Sequence, residues 1–307
     1  MSASRVWLIC VLLFFCRPGG AEENKPPEVA FDGERAYAHL VAQCAFGPRV
    51  PGTAAHDQTK AYLKQELSRY ARKVEEQNFT VKLGDKTLPL TNLIAYFPAP
   101  DNTAPWVLVC AHWDSRPTAD RELAPARRAQ AIPGANDGAS GTAVILELAR
   151  LLSNQFPPQG VLLVLFDGED YGPNTDRMFL GSRYFAKNYR GPKITWGVLL
   201  DMIGDKDLEI PQEGYSRRGA PQVLARLWKI AAELGETAFV NRPGPFINDD
   251  HRPLIERGLP CADLIDFNYP YWHTLEDTPD KCSARSLLAV GRVVLQALRE
   301  PAEITQP

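Results

Sequence analysis

Five stretches of the chain place acids and imidazoles where a fold can aim them. His112 and Asp114 follow the apolar run WVLVCA, Glu169 and Asp170 follow VLLVLFDG, and Asp201 closes WGVLL. Asp137 stands in the glycine-rich loop PGANDGASG ahead of a helix, and His273 stands in the late loop YPYWHTLED. Carboxylates and imidazoles gathered at one edge would repel one another unless a cation lay among them. Zinc suits this mixture, taking His nitrogen and carboxylate oxygen and keeping one position open for chemistry. Calcium and magnesium prefer all-oxygen shells and fit the histidines less well. Two carboxylates and one imidazole would leave divalent zinc near neutral and still a Lewis acid.

Taken singly, each residue has a plainer use. His112 after a strand can satisfy backbone groups, Glu169 and Asp170 can form a surface turn, and Asp137 can cap the helix that follows it. His273 in a loop says little by itself. Asp201 is harder to dismiss, because a carboxylate at the end of an apolar run is costly to bury unpaired. The joint pattern carries the reading.

The elements that must position these residues are legible. The runs near residues 107–110, 161–166, 196–200 and 261–265 are continuously apolar, which suits strands buried on both faces. They alternate with helical patterns, so a mixed, mainly parallel α/β sheet with helices on both faces is predicted. Strand-like FTVKL and TNLIAYF precede them. Helices are predicted from Asp32, with Tyr37, Leu40, Val41 and Cys44 on one face, and over about 55–71, 140–154 and 181–189. Later helices cover the stretch from Pro221 to a stop at Gly235, the short segment DDHRPLIERG, and the closing run from Ser283. In open α/β sheets ligands bind beyond the carboxyl ends of the strands, where three strands deliver His112, Glu169, Asp170 and Asp201.

The 307 residues are 45% hydrophobic and 23% charged, a globular composition with no internal repeat, so one catalytic domain is expected over residues 31–307. Lys and Arg number 34 against 37 Asp and Glu, for a net charge of -3 without a long basic run. That excludes an electrostatic footprint for nucleic acid or an anionic membrane. At the start, Arg5 precedes the apolar run Val6 to Cys16, which is short for a span and suits a signal peptide cleaved near Ala21. An uncleaved anchor is the alternative; a lipoprotein site at Cys16 is disfavoured by bulky Phe14 and Phe15. Residues 22–30 read as a flexible lead-in, and the mature protein as an exported monomer without stable membrane insertion. Of the four later cysteines, Cys110 and Cys261 lie in apolar runs and read as free buried thiols, whereas Cys44 and Cys282 flank loops and either remain free or pair.

The motifs AHWDS, GANDGASG, FDGED, LLDMIGD and WHTLEDT occur here in one order. From about Phe46 to Leu298 the chain resembles the zinc aminopeptidase superfamily that includes the animal-type glutaminyl cyclases, and CAHWDSRP with ANDGASG resembles the bacterial members of that branch. The resemblance implies a sheet of typically six parallel and two antiparallel strands. By motif, Asp137, Asp170 and His273 match the zinc ligands of the cyclases, and Glu169 matches the general acid/base. Asp201 matches a second-metal ligand in aminopeptidases and a hydrogen-bonding catalytic acid in cyclases. His112 likewise matches a second-zinc ligand in the peptidases, with Asp114 supporting it.

The same resemblance sets the two activities side by side. INDDHRPL resembles the cyclase segment whose first acid, here Asp249, pairs with the catalytic acids, and Trp272 before His273 matches an indole of the substrate pocket. Tyr269 is expected to pack the substrate side chain with Trp272. The chain departs from the animal cyclases at YGPNTDR, which lacks their Trp, at Asp263, where they have His, and at Asp170, where the family often has Glu. The cyclase reading is an enzyme with one zinc that converts N-terminal Gln of peptides or proteins to pyroglutamate. The alternative is an aminopeptidase with two zincs, the second held by His112, Asp201 and the shared Asp137.

Overall fold

The four apolar runs become neighbouring parallel strands of one sheet, because each has a hydrophobic layer to cover on both of its faces. The protein is described from a computed structural model over residues 30–154 and 157–301; the leader at 1–21 and the lead-in up to residue 29 lie outside them. Helices α1 (Gly33–Ala45) and α2 (Ala54–Ser68) precede a long hairpin of β1 (Lys73–Leu83) and β2 (Lys86–Phe97). Then come β3 (Trp106–His112), α3 (Ala139–Leu152), β4 (Gly160–Phe166), α4 (Leu180–Asn188) and β5 (Ile194–Asp201). The chain continues through β6 (Ile210–Gln212), α5 (Gly214–Gly219), α6 (Pro221–Leu234), β7 (Phe239–Pro243), α7 (His251–Ile255), β8 (Cys261–Ile265) and α8 (Ala284–Arg299).

Among the described residues the main sheet has six strands in the order β1-β2-β4-β3-β5-β8. β2 is antiparallel to both its neighbours, and β4, β3, β5 and β8 are mutually parallel. This corrects the strand count that the family resemblance implies: one strand of the main sheet is reversed, and β6 and β7 form a separate parallel pair. These short pieces, like α5, were not read from the sequence, since segments of three to six residues with mixed polarity carry no periodicity. Alternation sorts each inner strand between two cores. Val107, Val109 and Ala111 of β3 join the larger core, while Leu108 and Cys110 join a smaller one with Phe185 of α4 and Leu254 of α7.

Helix α3 is buried along its length except for Arg150, as a helix packed against both a sheet and other helices must be. Gly141 makes that approach possible: a Cβ there would stand 2.0 Å from the Leu200 carbonyl of β5. Local signals set several ends. Asp32 accepts from the N–H groups of Glu34 and Arg35 to start α1, Ser283 caps α8, and Gly235 closes α6 in the left-handed region at φ 72. The buried face of α1 is rotated from the predicted one. Ala36, Leu40 and Gln43 point inward and Val41 is exposed, because the packing partners are α3 and α8 rather than the most apolar stripe alone. All four described cysteines are free thiols, Cys44 and Cys282 included.

Candidate active site

Three parallel strands end side by side and turn their first loop residues toward one crevice. β3 ends at His112, with Asp114 two residues on; β4 runs into Asp167-Gly168-Glu169-Asp170; β5 ends at Asp201. Glu169 and Asp170 are 6% and 1% exposed, so the surface-turn reading fails. Asp137 enters from the loop before α3, and its side chain is not a helix cap. The cap position is Gly138 at φ 91, without a side-chain bond. A Cβ there would stand 2.6 Å from the Asp114 carbonyl and 2.9 Å from the His112 ring, so glycine alone lets this loop reach the strand ends.

Asp137, Asp170 and His273 each offer a donor atom, all within 4.8 Å of one another. His273 Nε2 lies 3.5 Å from Asp170 Oδ1 and 3.7 Å from Asp137 Oδ2. Asp170 Oδ2 is buried and has no hydrogen-bond partner among the described residues, which leaves it a free lone pair. Two carboxylates, one imidazole and an unpaired oxygen fit a zinc ion. The other nitrogen of His273, Nδ1, is 3.0 Å from Asp120, an ion-pair contact on the side of the ring away from Asp137 and Asp170. Burial opposes a proton on this ring, but Asp170 and Asp120 outweigh it and push its pKa up to about 9. His273 is held at φ 56 and its ring stacks on Trp272 at 3.9 Å. A non-glycine residue in that backbone region stores strain that only a well-braced site sustains.

His112 lies beside this trio. Its Nε2 is 3.1 Å from Asp137 Oδ1 and 3.2 Å from Asp201 Oδ1, and its Nδ1 is 3.5 Å from Asp114. Donor atoms of His112, Asp137 and Glu169 form a second set close enough to hold a cation. Asp114 accepts from the backbone N–H of Glu169 at 3.1 Å and of Asp170 at 3.2 Å, so it aims the β4 loop from beneath. Glu169 and Asp249 both have pKa values well above the carboxylate range. Burial is the leading cause for each; at Glu169 the charge of His112 opposes it and that of Asp170 adds to it, and at Asp249 the charge of Asp201 adds to it. The acids open on a narrow cavity of about 40 Å³, walled by Trp272, Phe267, Met178, Met202 and Ile247.

Tyr269 is placed differently from its sequence assignment. Its ring is 3% exposed among Met202, Ile247 and Ile265, and its hydroxyl donates to Asp277 at 2.8 Å. Asp277 in turn accepts from the N–H groups of Asn136 and Asp137, so Tyr269 braces the Asp137 loop from behind the pocket wall. Other supports escaped the sequence reading. Arg116 donates to Asp120 through two bonds of 3.0 Å and to Asp170, and Arg49 donates to the carbonyls of Trp113, Pro133 and Gly134. Arg116 stands next to AHWDS and Asp277 within WHTLEDT, so proximity to a motif was a usable signal for those two. Arg49 had none.

Comparison with known proteins places the chain in a family. Residues 92–298 match the family model described as peptidase family M28. A glutaminyl-peptide cyclotransferase of Drosophila melanogaster is 29% identical over 262 residues, covering 75% of this chain and 70% of that protein. The crystal structure of Tannerella forsythia glutaminyl cyclase superposes with a TM-score of 0.85 at 36% identity, over 89% of this chain and 100% of that one. A Zn-dependent exopeptidase from Parabacteroides distasonis gives a TM-score of 0.85 at 35% identity with the same coverage. With a matching family model across two thirds of its length, the chain belongs to peptidase family M28.

Proposed function

We propose that this protein is a zinc-dependent glutaminyl-peptide cyclotransferase, converting the N-terminal Gln of peptides to pyroglutamate with release of ammonia. The observation that carries the choice over peptide hydrolysis is the buried Asp249 carboxyl, set among Asp201 and Glu169 in the same small cavity. Acids crowded in this way share protons, and a shared proton suits hydrogen bonding to a transient species better than ligation of a second metal. The cyclase relatives support the same reading.

Asp137, Asp170 and His273 would hold the zinc, which supplies Lewis-acid polarisation of the substrate's γ-carbonyl. Glu169, with its raised pKa, accepts one proton from the attacking α-amine and returns it to the departing nitrogen. A bond forms between the α-nitrogen and the side-chain amide carbon Cδ, the Cδ–Nε2 bond breaks, and ammonia leaves with the proton that Glu169 carried. Asp201 and Asp249 hold the tetrahedral species by hydrogen bonds. Trp272 forms the wall for the short side chain, and because the nucleophile is tethered, holding the near-attack conformer supplies much of the rate. His112 serves here as a hydrogen-bonding neighbour of Asp137 and Asp201, with Asp114 behind it. We read residues 31–307 as one catalytic domain of an exported monomer with a leader over 1–21; no helix of the described residues is long and apolar enough to cross a membrane.

The test is to incubate purified protein with Gln-initiated and Leu-initiated dipeptide naphthylamides and to count bound zinc. Ammonia release with one zinc supports the cyclase. Free leucine with two zincs refutes it and favours the two-metal aminopeptidase. Glu169→Gln should lower kcat by about 10²- to 10⁴-fold with zinc retained; surviving activity removes Glu169 as the base.

A further inference from the structure

Two residues beyond Asp249 lies a second buried cluster of ionisable groups that no step above uses. Glu213, His251 and Asp263 are each 1% exposed or less. His251 Nε2 is 3.2 Å from Glu213 Oε2, and its Nδ1 is 3.5 Å from Asp263 Oδ2. Both His251 nitrogens and both Asp263 oxygens are buried and have no hydrogen-bond partner among the described residues, so they meet through these ion-pair contacts alone. Glu213, by contrast, is fully engaged. It accepts from the N–H of Tyr215 at 2.9 Å and of Ser216 at 2.6 Å, and from the Ser216 hydroxyl at 2.8 Å, which starts α5.

One further bond extends this beyond a helix cap. Glu213 Oε1 accepts from the backbone N–H of Ile247 at 2.9 Å. Glu213 therefore grips the Ile247–His251 segment at both ends, by the backbone at one and by the imidazole at the other. Between the grips stands Asp249, in the pocket wall with Ile247 and Asn248. Asp263 closes the cluster from the middle of β8, and its own N–H donates to the Ser216 hydroxyl at 2.9 Å.

Other uses of the cluster fit less well. Its donor atoms are close enough for a cation, but the Glu213 oxygens are already taken by four hydrogen donors. Zero exposure leaves no way in for a substrate. Two protons shared among the three groups leave a single negative charge, whether an imidazolium lies between two carboxylates or a neutral ring lies between Glu213 and a protonated Asp263. That is a small charge load for a buried set, and breaking one member would leave the others uncompensated. Burial opposes ionisation of Glu213, but the bonds from His251, Ile247 and Tyr215 outweigh it and bring its pKa down to about 2.

We propose that Glu213, His251 and Asp263 are positioning residues that hold the Asp249 segment against the catalytic pocket, with β8 as the anchor. The inference rests on the cyclase reading only through the role given to Asp249. Glu213→Gln and Asp263→Asn should each lower kcat roughly tenfold or more, with KM changed less than about twofold and bound zinc unchanged. In an Asp249→Asn background the same substitutions should cost less than about twofold further, since the group they position is gone. Independently of activity, amide exchange of the segment 246–251 should quicken by about tenfold or more in Glu213→Gln, while exchange in β5 stays as in the parent.

Full additivity with Asp249→Asn overturns the proposal, and so does unchanged exchange of the segment. Loss of a bound metal equivalent in Asp263→Asn also overturns it, by making the cluster a cation site. Should Glu213→Gln fail to fold, Asp263→Asn carries the same kinetic cycle and the same exchange measurement. A parent protein that forms no pyroglutamate refutes the cyclase reading, and the exchange arm then still decides whether this cluster holds the segment.

Discussion

Replacing Arg49 by Met tests how the loop that carries Asp137 is held. Arg49 is fully buried, and its guanidinium spans three carbonyls, those of Trp113 at 2.9 Å, Pro133 at 2.8 Å and Gly134 at 2.6 Å, with Asp137 O further off at 3.3 Å. Methionine keeps the apolar stem and removes every donor. A buried carbonyl left without its donor costs about 1–3 kcal/mol. Three short bonds would then cost about 3–9 kcal/mol, but deleting a buried charge also removes its desolvation cost, which favours the low end. About 3 kcal/mol is the expected loss, or roughly 6–10 °C in Tm for a chain of this size. Because two of the carbonyls belong to the loop that carries Asp137, zinc affinity should fall by about 10- to 100-fold as well. Arg49→Lys keeps the charge but not the fork, so it should lie between parent and Arg49→Met. Scanning calorimetry and competition with a chelator measure both effects. A Tm within about 1 °C of the parent together with unchanged zinc affinity would show that the arginine is not the brace described here.

Three further outcomes follow from individual contacts. Tyr269→Phe removes the 2.8 Å bond to Asp277 and should cost about 1 kcal/mol and about tenfold in zinc affinity, with KM nearly unchanged. A raised KM at unaltered zinc affinity would instead return Tyr269 to the substrate pocket. Gly141→Ala should destabilise by about 3 kcal/mol in chemical denaturation, against the gain of about 1 kcal/mol that helix propensity alone would give, because the added methyl meets the Leu200 carbonyl. A stabilised Gly141→Ala protein would mean that α3 can lift from β5 freely. Asp266 has its carboxyl raised to about 6, chiefly by burial. Its contribution to stability is thus complete below pH of about 4 and lost as pH rises through 6, about 3 kcal/mol in all. Unfolding free energies of Asp266→Asn should fall correspondingly less between pH 4 and 7, and parallel profiles for the two proteins would contradict that sign.

Much of the site was legible because its residues sit at places that sequence pattern marks. His112, Asp114, Glu169, Asp170 and Asp201 follow apolar runs too continuous to be half-exposed strands, and parallel strands must end at one edge. The glycines around Asp137 marked a loop ahead of a helix, and the structure adds the close approach that Gly138 makes to His112 and Asp114. Asp249 and Trp272 depended on family resemblance, since an acid in a loop and an indole beside a histidine have no periodicity to declare them. Tyr269 lies away from its expected place for a related reason: only two residues separate it from Trp272 in the chain, yet the turn between them sends one ring behind the pocket wall and the other into it.

By itself, then, the sequence determined the strand and helix alternation, the edge where chemistry gathers, and the residue types offered to a metal, because these depend on local periodicity and composition. Only the tertiary structure decided which charged groups meet. Arg49 reaches the loop before α3 from the turn between α1 and α2, Arg116 and Asp120 close on Asp170 and His273, and Glu213 reaches across to Ile247 and His251. Such pairings join residues far apart in the chain, and their energy comes from burial that removes water from both partners at once. Nothing local in the sequence encodes that shared burial; it exists only after the sheet and its two helical layers have closed.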